Sequence, residues 1–230
     1  MYLQMNVPPS RQPAGPVADP WEQPTRELIA RLCRSGAGNK APRIGAAFPD
    51  FALADSHGQH ARLAQLIEQG PVVLSFLRGR WCPYCARELQ MWHDAMPRLE
   101  AAGASFVAIS AEAGGRAEEF RRDIAPAATM LCDIDHGLAM LLGLAFPMGE
   151  GLHQRYIEAG LDLGAVYGNS GRILPITATY VIDRGGIVRY AHIDPDFRVR
   201  ADPNVVIAVV EGINRQGHSG PRPTPTPGRG

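Results

Sequence analysis

Residues 78–89 read RGRWCPYCAREL and place two cysteines three positions apart, beside Arg78, Arg80 and Arg87. The apolar run PVVLSF at 71–76 precedes them, LRGRW interrupts it, and an apolar stripe at helical spacing follows. Cys82 then falls where a helix N-cap belongs, with Pro83 at the favoured first helical position. Free backbone N–H groups and the positive end of the helix dipole point at the Cys82 sulfur. A thiol so placed ionises well below its ordinary pKa of about 8.5, and Arg78 or Arg80 would push it the same way. Cys85 lies one turn on, on the same helix face, close enough to bridge. The spacing predicts an attacking thiolate at Cys82 and a less exposed, less acidic resolving thiol at Cys85.

A metal site competes with this reading. Tetrahedral zinc wants four ligands, and the chain has no second Cys-x-x-Cys; Cys82, Cys85 and His93 would need a distant histidine to complete the set. The redox reading is preferred, with no metal and no cofactor. Of the other cysteines, Cys132 in TMLCDID reads as a buried core thiol and Cys33 lies on an amphipathic helix. His57 and His60 flank a glycine turn and are too weak a signal for a metal. Asp133 and Asp135 read as caps of the following helix.

The elements that position these groups follow from hydrophobic pattern. Strands are expected at 50–54, 71–76, 105–110, 129–132, 178–183 and 187–191, the last two joined as a hairpin through RGG. Helices are expected at 21–34, 82–102 with a kink at Pro97, 114–124, 135–143, about 152–160 and 203–213. The alternation predicts an α/β fold, a central mixed sheet covered by helices on both faces. Residues 1–42 form a proline-rich arm with one short helix, 43–213 the domain, 146–173 an insertion within it, and 214–230 a disordered Pro/Gly-rich tail. The insertion is expected either to cover the site or to build a homodimer face.

The whole chain has 230 residues, 45% of them hydrophobic, enough to bury a sizeable core. Lysine plus arginine and aspartate plus glutamate number 23 each, a balance that gives no footprint for nucleic acid. No apolar run reaches the ~18–20 residues of a membrane span, and the N-terminal stretch lacks a secretory pattern, so a cytoplasmic location is expected.

The sequence resembles the peroxiredoxin-like branch of the alkyl hydroperoxide reductase and thiol-specific antioxidant family over about residues 43–212. The segments that carry the likeness are IGAAFPDFALADSHGQ, SFLRGRWCPYCAREL, FVAISAE, LCDIDHGLAMLLGLAF and ATYVIDRGGIVRYAHIDPDFRVRADP. The resemblance implies a thioredoxin-like fold and a thiol peroxidase, with Cys82 at the peroxidatic position and Cys85 as a nearby resolving cysteine. It implies a peroxide as substrate and a thioredoxin- or glutaredoxin-type reductant. Arg78 and Arg80 are the expected activating cations, with a folded-back Arg198 as a third source; Trp81, Pro83, Tyr84 and Thr177 are expected to shape the substrate pocket. The chain departs from the family pattern at Ser75 and Gly79, where a proline and a threonine are usual. It departs again at Thr177, where peroxiredoxins carry an arginine and thioredoxins a cis-proline. Two other functions remain in view: a thiol–disulfide oxidoreductase, favoured by the glutaredoxin-like CPYC, and a non-catalytic redox sensor.

Overall fold

The computed structural model describes residues 19–55 and 57–217. Parallel strands β3 (Val72–Leu77), β4 (Ser105–Ser110) and β5 (Thr129–Cys132) form the centre of the sheet. β1 (Ala52–Asp55) joins β5 antiparallel and carries β2 (His60–Arg62) at one edge; β8 (Ala178–Ile182) joins β3 antiparallel and carries β9 (Val188–Ile193) at the other. The seven strands lie in the order β2-β1-β5-β4-β3-β8-β9. This is the expected mixed sheet. The edge strand β2 is an addition, because three residues with an exposed–intermediate–exposed pattern carry no apolar run to detect.

Every residue of β3 is buried, as a strand covered on both faces requires. Alternation along β3 and β4 divides the core. Val72, Leu74, Phe76, Val107 and Ile109 face one layer, and Val73, Leu77, Phe106 and Ala108 face the other. The second layer holds α3 (Pro83–Ala101), α4 (Arg116–Ile124) and α8 (Pro203–Gly217), through Leu89, Trp92 and Leu99, Phe120, and Val206 and Val210. Trp92 is fully buried and stacks on Phe106 with ring centroids 5.0 Å apart. α3 runs through Pro97 as one helix.

The first layer is built from the N-terminal helix and the insertion. α1 (Glu22–Ser35) buries Leu28 and Leu32 and ends at Gly36 in the left-handed conformation. Between the short α2 (Leu63–Leu66) and the insertion lies α5 (Gly137–Leu141), whose Leu138 and Ala139 N–H groups both donate to the Asp133 carboxylate at 2.7 and 3.0 Å. Asp135, read from sequence as a second cap, instead sits in the left-handed region at φ 54° and accepts from the Asn169 side chain. The insertion adds a separate ribbon, β6 (Ala145–Pro147) with β7 (Ile173–Pro175), enclosing α6 (Glu150–Glu158) and α7 (Leu163–Tyr167). Arg31 of α1 donates to the carbonyls of Pro147 and Met148, and Trp21 stacks on Tyr156 of α6, so the helix and the insertion form one cover. Among the described residues no helix is long and apolar enough to cross a membrane. Residues 1–18 of the proline-rich arm and 218–230 of the tail lie outside the described residues.

The burial of Leu32, only 2% exposed, makes α1 part of the core. Leu32→Ala is expected to lower the unfolding free energy by about 2–5 kcal/mol in urea titration. A change below ~0.5 kcal/mol would mean that α1 stands apart from the domain.

Candidate active site

β3 ends at Leu77, and residues 78–81 carry the chain across the end of the sheet into α3. Cys82 is the N-cap of α3, extended at φ −92° and ψ 113°, and Pro83 opens the helix. Cys82 is 1% exposed and Cys85 fully buried. The Cys82 thiol is pulled from its ordinary range down to about 5. Its largest cause is the hydrogen bond from the Cys85 thiol; the charges of Arg78 and Arg200 and the Cys85 backbone N–H add to it, while burial opposes. Burial pushes the Cys85 thiol up, and its role as donor to Cys82 adds to that rise. The two cysteines are therefore unequal, as their positions on the helix predict.

The four predicted neighbours take different roles. Arg78 turns inward, 2% exposed, and donates to the Tyr156 hydroxyl at 2.8 Å. Its guanidinium carbon stands 4.5 Å from the ring centre of Trp81 and 4.2 Å from that of Phe197, and its main-chain N–H donates to Cys85 Sγ at 3.2 Å. Arg80 turns outward instead. It pairs with Asp123 at 2.7 Å and lies 3.8 Å from Glu119, both on the α4 side, while its side chain stays 45% exposed. A carboxylate pair at the surface satisfies its charge on the α4 side. Trp81 donates from its indole nitrogen to the Arg78 carbonyl and the Tyr167 hydroxyl, both at 3.1 Å, and packs edge-on against Tyr156. Tyr84 is more open, its ring set edge-on to Phe197.

The second cation comes from the far end of the sequence. Arg198 does not fold back; it pairs with Asp196. Arg200, two residues on, donates to Cys85 Sγ at 3.3 Å and forms a buried ion pair with Glu88. Glu88 sits on α3 one turn beyond Cys85, and its other oxygen accepts from Ser75 at 2.8 Å and Thr179 at 3.3 Å. Ser75 and Thr179 are direct partners in the β3–β8 register. Ser75 thus replaces the usual proline with a hydroxyl that holds a buried carboxylate.

Gly79 has a parallel explanation. It adopts φ +129°, and a Cβ there would stand 2.6 Å from the Glu112 carboxyl carbon. The Glu112 carboxylate fills that space and accepts the Arg80 N–H at 3.0 Å and the Ser110 hydroxyl at 3.3 Å. Thr177, 3% exposed, directly precedes β8, whose Ala178 lies opposite Phe76, so it stands beside the end of β3 from which the cysteine loop departs. Among the described residues its hydroxyl has no partner and no cis peptide bond occurs. His57 and His60 lie at the exposed β1–β2 turn, and no cluster of three metal-ligating side chains occurs among the described residues.

The sequence matches the family model for the AhpC/TSA family over residues 44–191. The chain belongs to the AhpC/TSA family. Among curated proteins it is similar to a chloroplastic peroxiredoxin Q of Oryza sativa subsp. japonica, at 27% identity over 148 residues. That alignment covers 64% of this chain and 58% of the relative, so the AhpC/TSA chain spans well under two thirds of the rice protein. It is also 30% identical over 172 residues to the thiol:disulfide interchange protein DsbE of Escherichia coli, covering 72% of this chain and 76% of that one. Among solved structures, peroxidoxin BcpB of Mycobacterium tuberculosis superposes with a TM-score of 0.59 at 23% identity, over 75% of this chain and 98% of that chain. Peroxiredoxin 6 of Arenicola marina gives 0.61 at 15% identity, over 79% and 80%. The thioredoxin-like fold expected from the sequence is the fold of these structures.

Six side chains of the site escaped sequence reading: Glu88, Glu112, Tyr156, Tyr167, Phe197 and Arg200. Only Glu88 carried a local signal, three residues after Cys85 and so on the same helix face.

Burial drives the Glu112 carboxyl up to about 7, against the lowering effect of its hydrogen bonds and of Arg116 and Arg80. A carboxyl raised on folding stabilises the protein most when protonated. That contribution is fully present below the unfolded pKa of about 4.3 and is lost as pH rises through the folded value. Glu112→Gln keeps an acceptor for the Arg80 N–H but cannot ionise. It is expected to unfold at nearly the same urea concentration as wild type near pH 4 and to be more stable by up to ~3 kcal/mol at pH 8.5. Equal stability of the two proteins at both pH values would contradict this assignment.

Proposed function

We propose that this AhpC/TSA protein is a thiol-dependent peroxidase that reduces hydrogen peroxide or a small organic hydroperoxide. The observation that carries the reading is the combination at Cys82: an acidic sulfur at a helix start, flanked by guanidiniums, yet almost closed to solvent. A peroxide oxygen is small enough to reach such a sulfur, whereas a protein disulfide needs an open edge on which to dock. The Cys82 thiolate attacks the terminal oxygen of the hydroperoxide. The O–O bond breaks, the hydroxyl group passes to sulfur as sulfenic acid, and the alkoxide or hydroxide leaves and takes up a proton from solvent. Arg78 holds the thiolate ionised and stabilises charge on the departing oxygen. Cys85 then condenses with the sulfenic acid to form the Cys82–Cys85 disulfide and water, and a thioredoxin- or glutaredoxin-type dithiol restores both thiols.

Trp81, Pro83, Tyr84 and Thr177 line the approach in this reading, and the unpartnered Thr177 hydroxyl is the polar group available to a peroxide oxygen. Tyr156 and Tyr167, within residues 146–173, bond to Arg78, and these contacts support the reading that the segment covers the site from the Arg78 side.

A second reading, thiol–disulfide exchange, is favoured by the similarity to DsbE and by the CPYC helix start. Steady-state peroxide consumption with a thioredoxin system, run beside insulin-disulfide reduction, separates the two. The peroxidase reading expects peroxide turnover that falls to the uncatalysed rate in Cys82→Ser. In Cys85→Ser it expects a single turnover that leaves Cys82 as a trappable sulfenic acid. Insulin reduction without peroxide consumption would select the exchange reading instead.

A further inference from the structure

The fully buried Cys85 has no solvent to ionise it, yet two N–H donors aim at its sulfur: the Arg78 main chain at 3.2 Å and the Arg200 guanidinium at 3.3 Å. Such donors favour a thiolate over a thiol. The charged groups around it are Arg78 and Arg200, Glu88 on its own helix, and Cys82; the Tyr167 hydroxyl is the remaining titratable neighbour. Glu88 offsets one guanidinium through its ion pair with Arg200. One buried positive charge is left, and in the resting protein the Cys82 thiolate matches it.

Oxidation removes that match. Sulfenic acid at Cys82 is neutral, while both guanidiniums remain. The same positive surplus then acts on the only other thiol in contact, the one Arg200 already touches.

We infer that Arg200, held in place by its ion pair with Glu88, transfers the site's negative charge from Cys82 to Cys85 once Cys82 is oxidised, and so activates the resolving cysteine. In this step the Cys85 thiol gives its proton to the hydroxide that leaves Cys82, and its sulfur attacks Cys82. The S–O bond breaks, and hydroxide leaves and is protonated to water. The Cys82 sulfur is reduced and the Cys85 sulfur oxidised as the disulfide forms. Arg200 is thus a resolving-step residue and Glu88 its positioning residue. The inference rests on the peroxidase reading for its physiological trigger, but the activation of Cys85 is testable without peroxide.

The experiment follows two phases of intrinsic fluorescence after mixing the full-length reduced protein with hydrogen peroxide, using Trp81 beside the site as reporter. The first phase depends on peroxide concentration and reports Cys82 oxidation; the second does not, and reports disulfide formation. Arg200→Gln is expected to slow the second phase about tenfold or more at pH 7 and to shift its pH midpoint upward, with a smaller effect on the first. Arg200→Lys, which keeps a charge beside Glu88, is expected to recover most of that loss.

A second arm removes the peroxide. In a Cys33→Ser, Cys132→Ser background, methyl methanethiosulfonate places a methylthio group on Cys82, and attack by Cys85 expels methanethiolate, read as loss of the adduct by intact mass. The same order of rates among the Arg200 variants is expected. If the wild type shows no peroxide phase but keeps this order, the peroxidase reading fails and the role of Arg200 stands. Resolution rates and pH midpoints in Arg200→Gln equal to wild type in both arms, or Arg200→Lys no faster than Arg200→Gln, would overturn the inference.

Discussion

A guanidinium buried without a carboxylate is the constraint on which the site depends. Arg78 enters the protein from the end of β3, and no carboxylate pairs with it among the described residues. It rests between the rings of Trp81 and Phe197, holds the Tyr156 hydroxyl, and leaves its Nε without a partner among the described residues. Aromatic faces and one hydroxyl soften the cost of burying a charge but do not cancel it. The group that can cancel it is an anion, and the ionisable sulfur of Cys82 is adjacent. After the hydrogen bond from the Cys85 thiol, the charge of Arg78 lowers the Cys82 thiol, and the thiolate in turn offsets the burial of Arg78.

Much of the rest of the fold serves that pairing. Trp21, the N-cap of α1, stacks on Tyr156, which receives Arg78, and Tyr167 from α7 donates to the Arg78 carbonyl at 2.6 Å. On the opposite layer, Ser75 and Thr179 fix Glu88, and Glu88 fixes Arg200 against Cys85. Below the loop, Glu112 fills the space that a side chain at Gly79 would take. The cysteines thus lie between two buried networks, one reaching them from each layer of the sheet.

The α/β architecture and the helix start at Cys82 were legible because both are local: buried strands read as apolar runs, and the Cys-Pro step marks a first helical turn. The placement of both cysteines at that helix start was legible for the same reason. The outward direction of Arg80, toward Asp123 and Glu119, was not legible, because proximity in sequence says nothing of which way a side chain leaves the loop. Arg200 was not legible at all. It lies 115 residues from Cys85 in a polar loop, where alternation with Arg198 gave no reason to prefer one over the other. Ser75 and Gly79 looked like defects in a family motif; each is the local half of a contact with a carboxylate, Glu88 or Glu112, and only the fold joins the halves.

The most direct test of the central claim is the pH dependence of thiolate absorbance in the reduced protein, compared between wild type, Cys82→Ser and Arg78→Met. If the buried guanidinium and the Cys82 thiolate stabilise each other, wild type shows a transition with a midpoint near 5 that Cys82→Ser abolishes and Arg78→Met moves upward. A midpoint in the ordinary thiol range in wild type, or one that Arg78→Met leaves in place, would contradict the account.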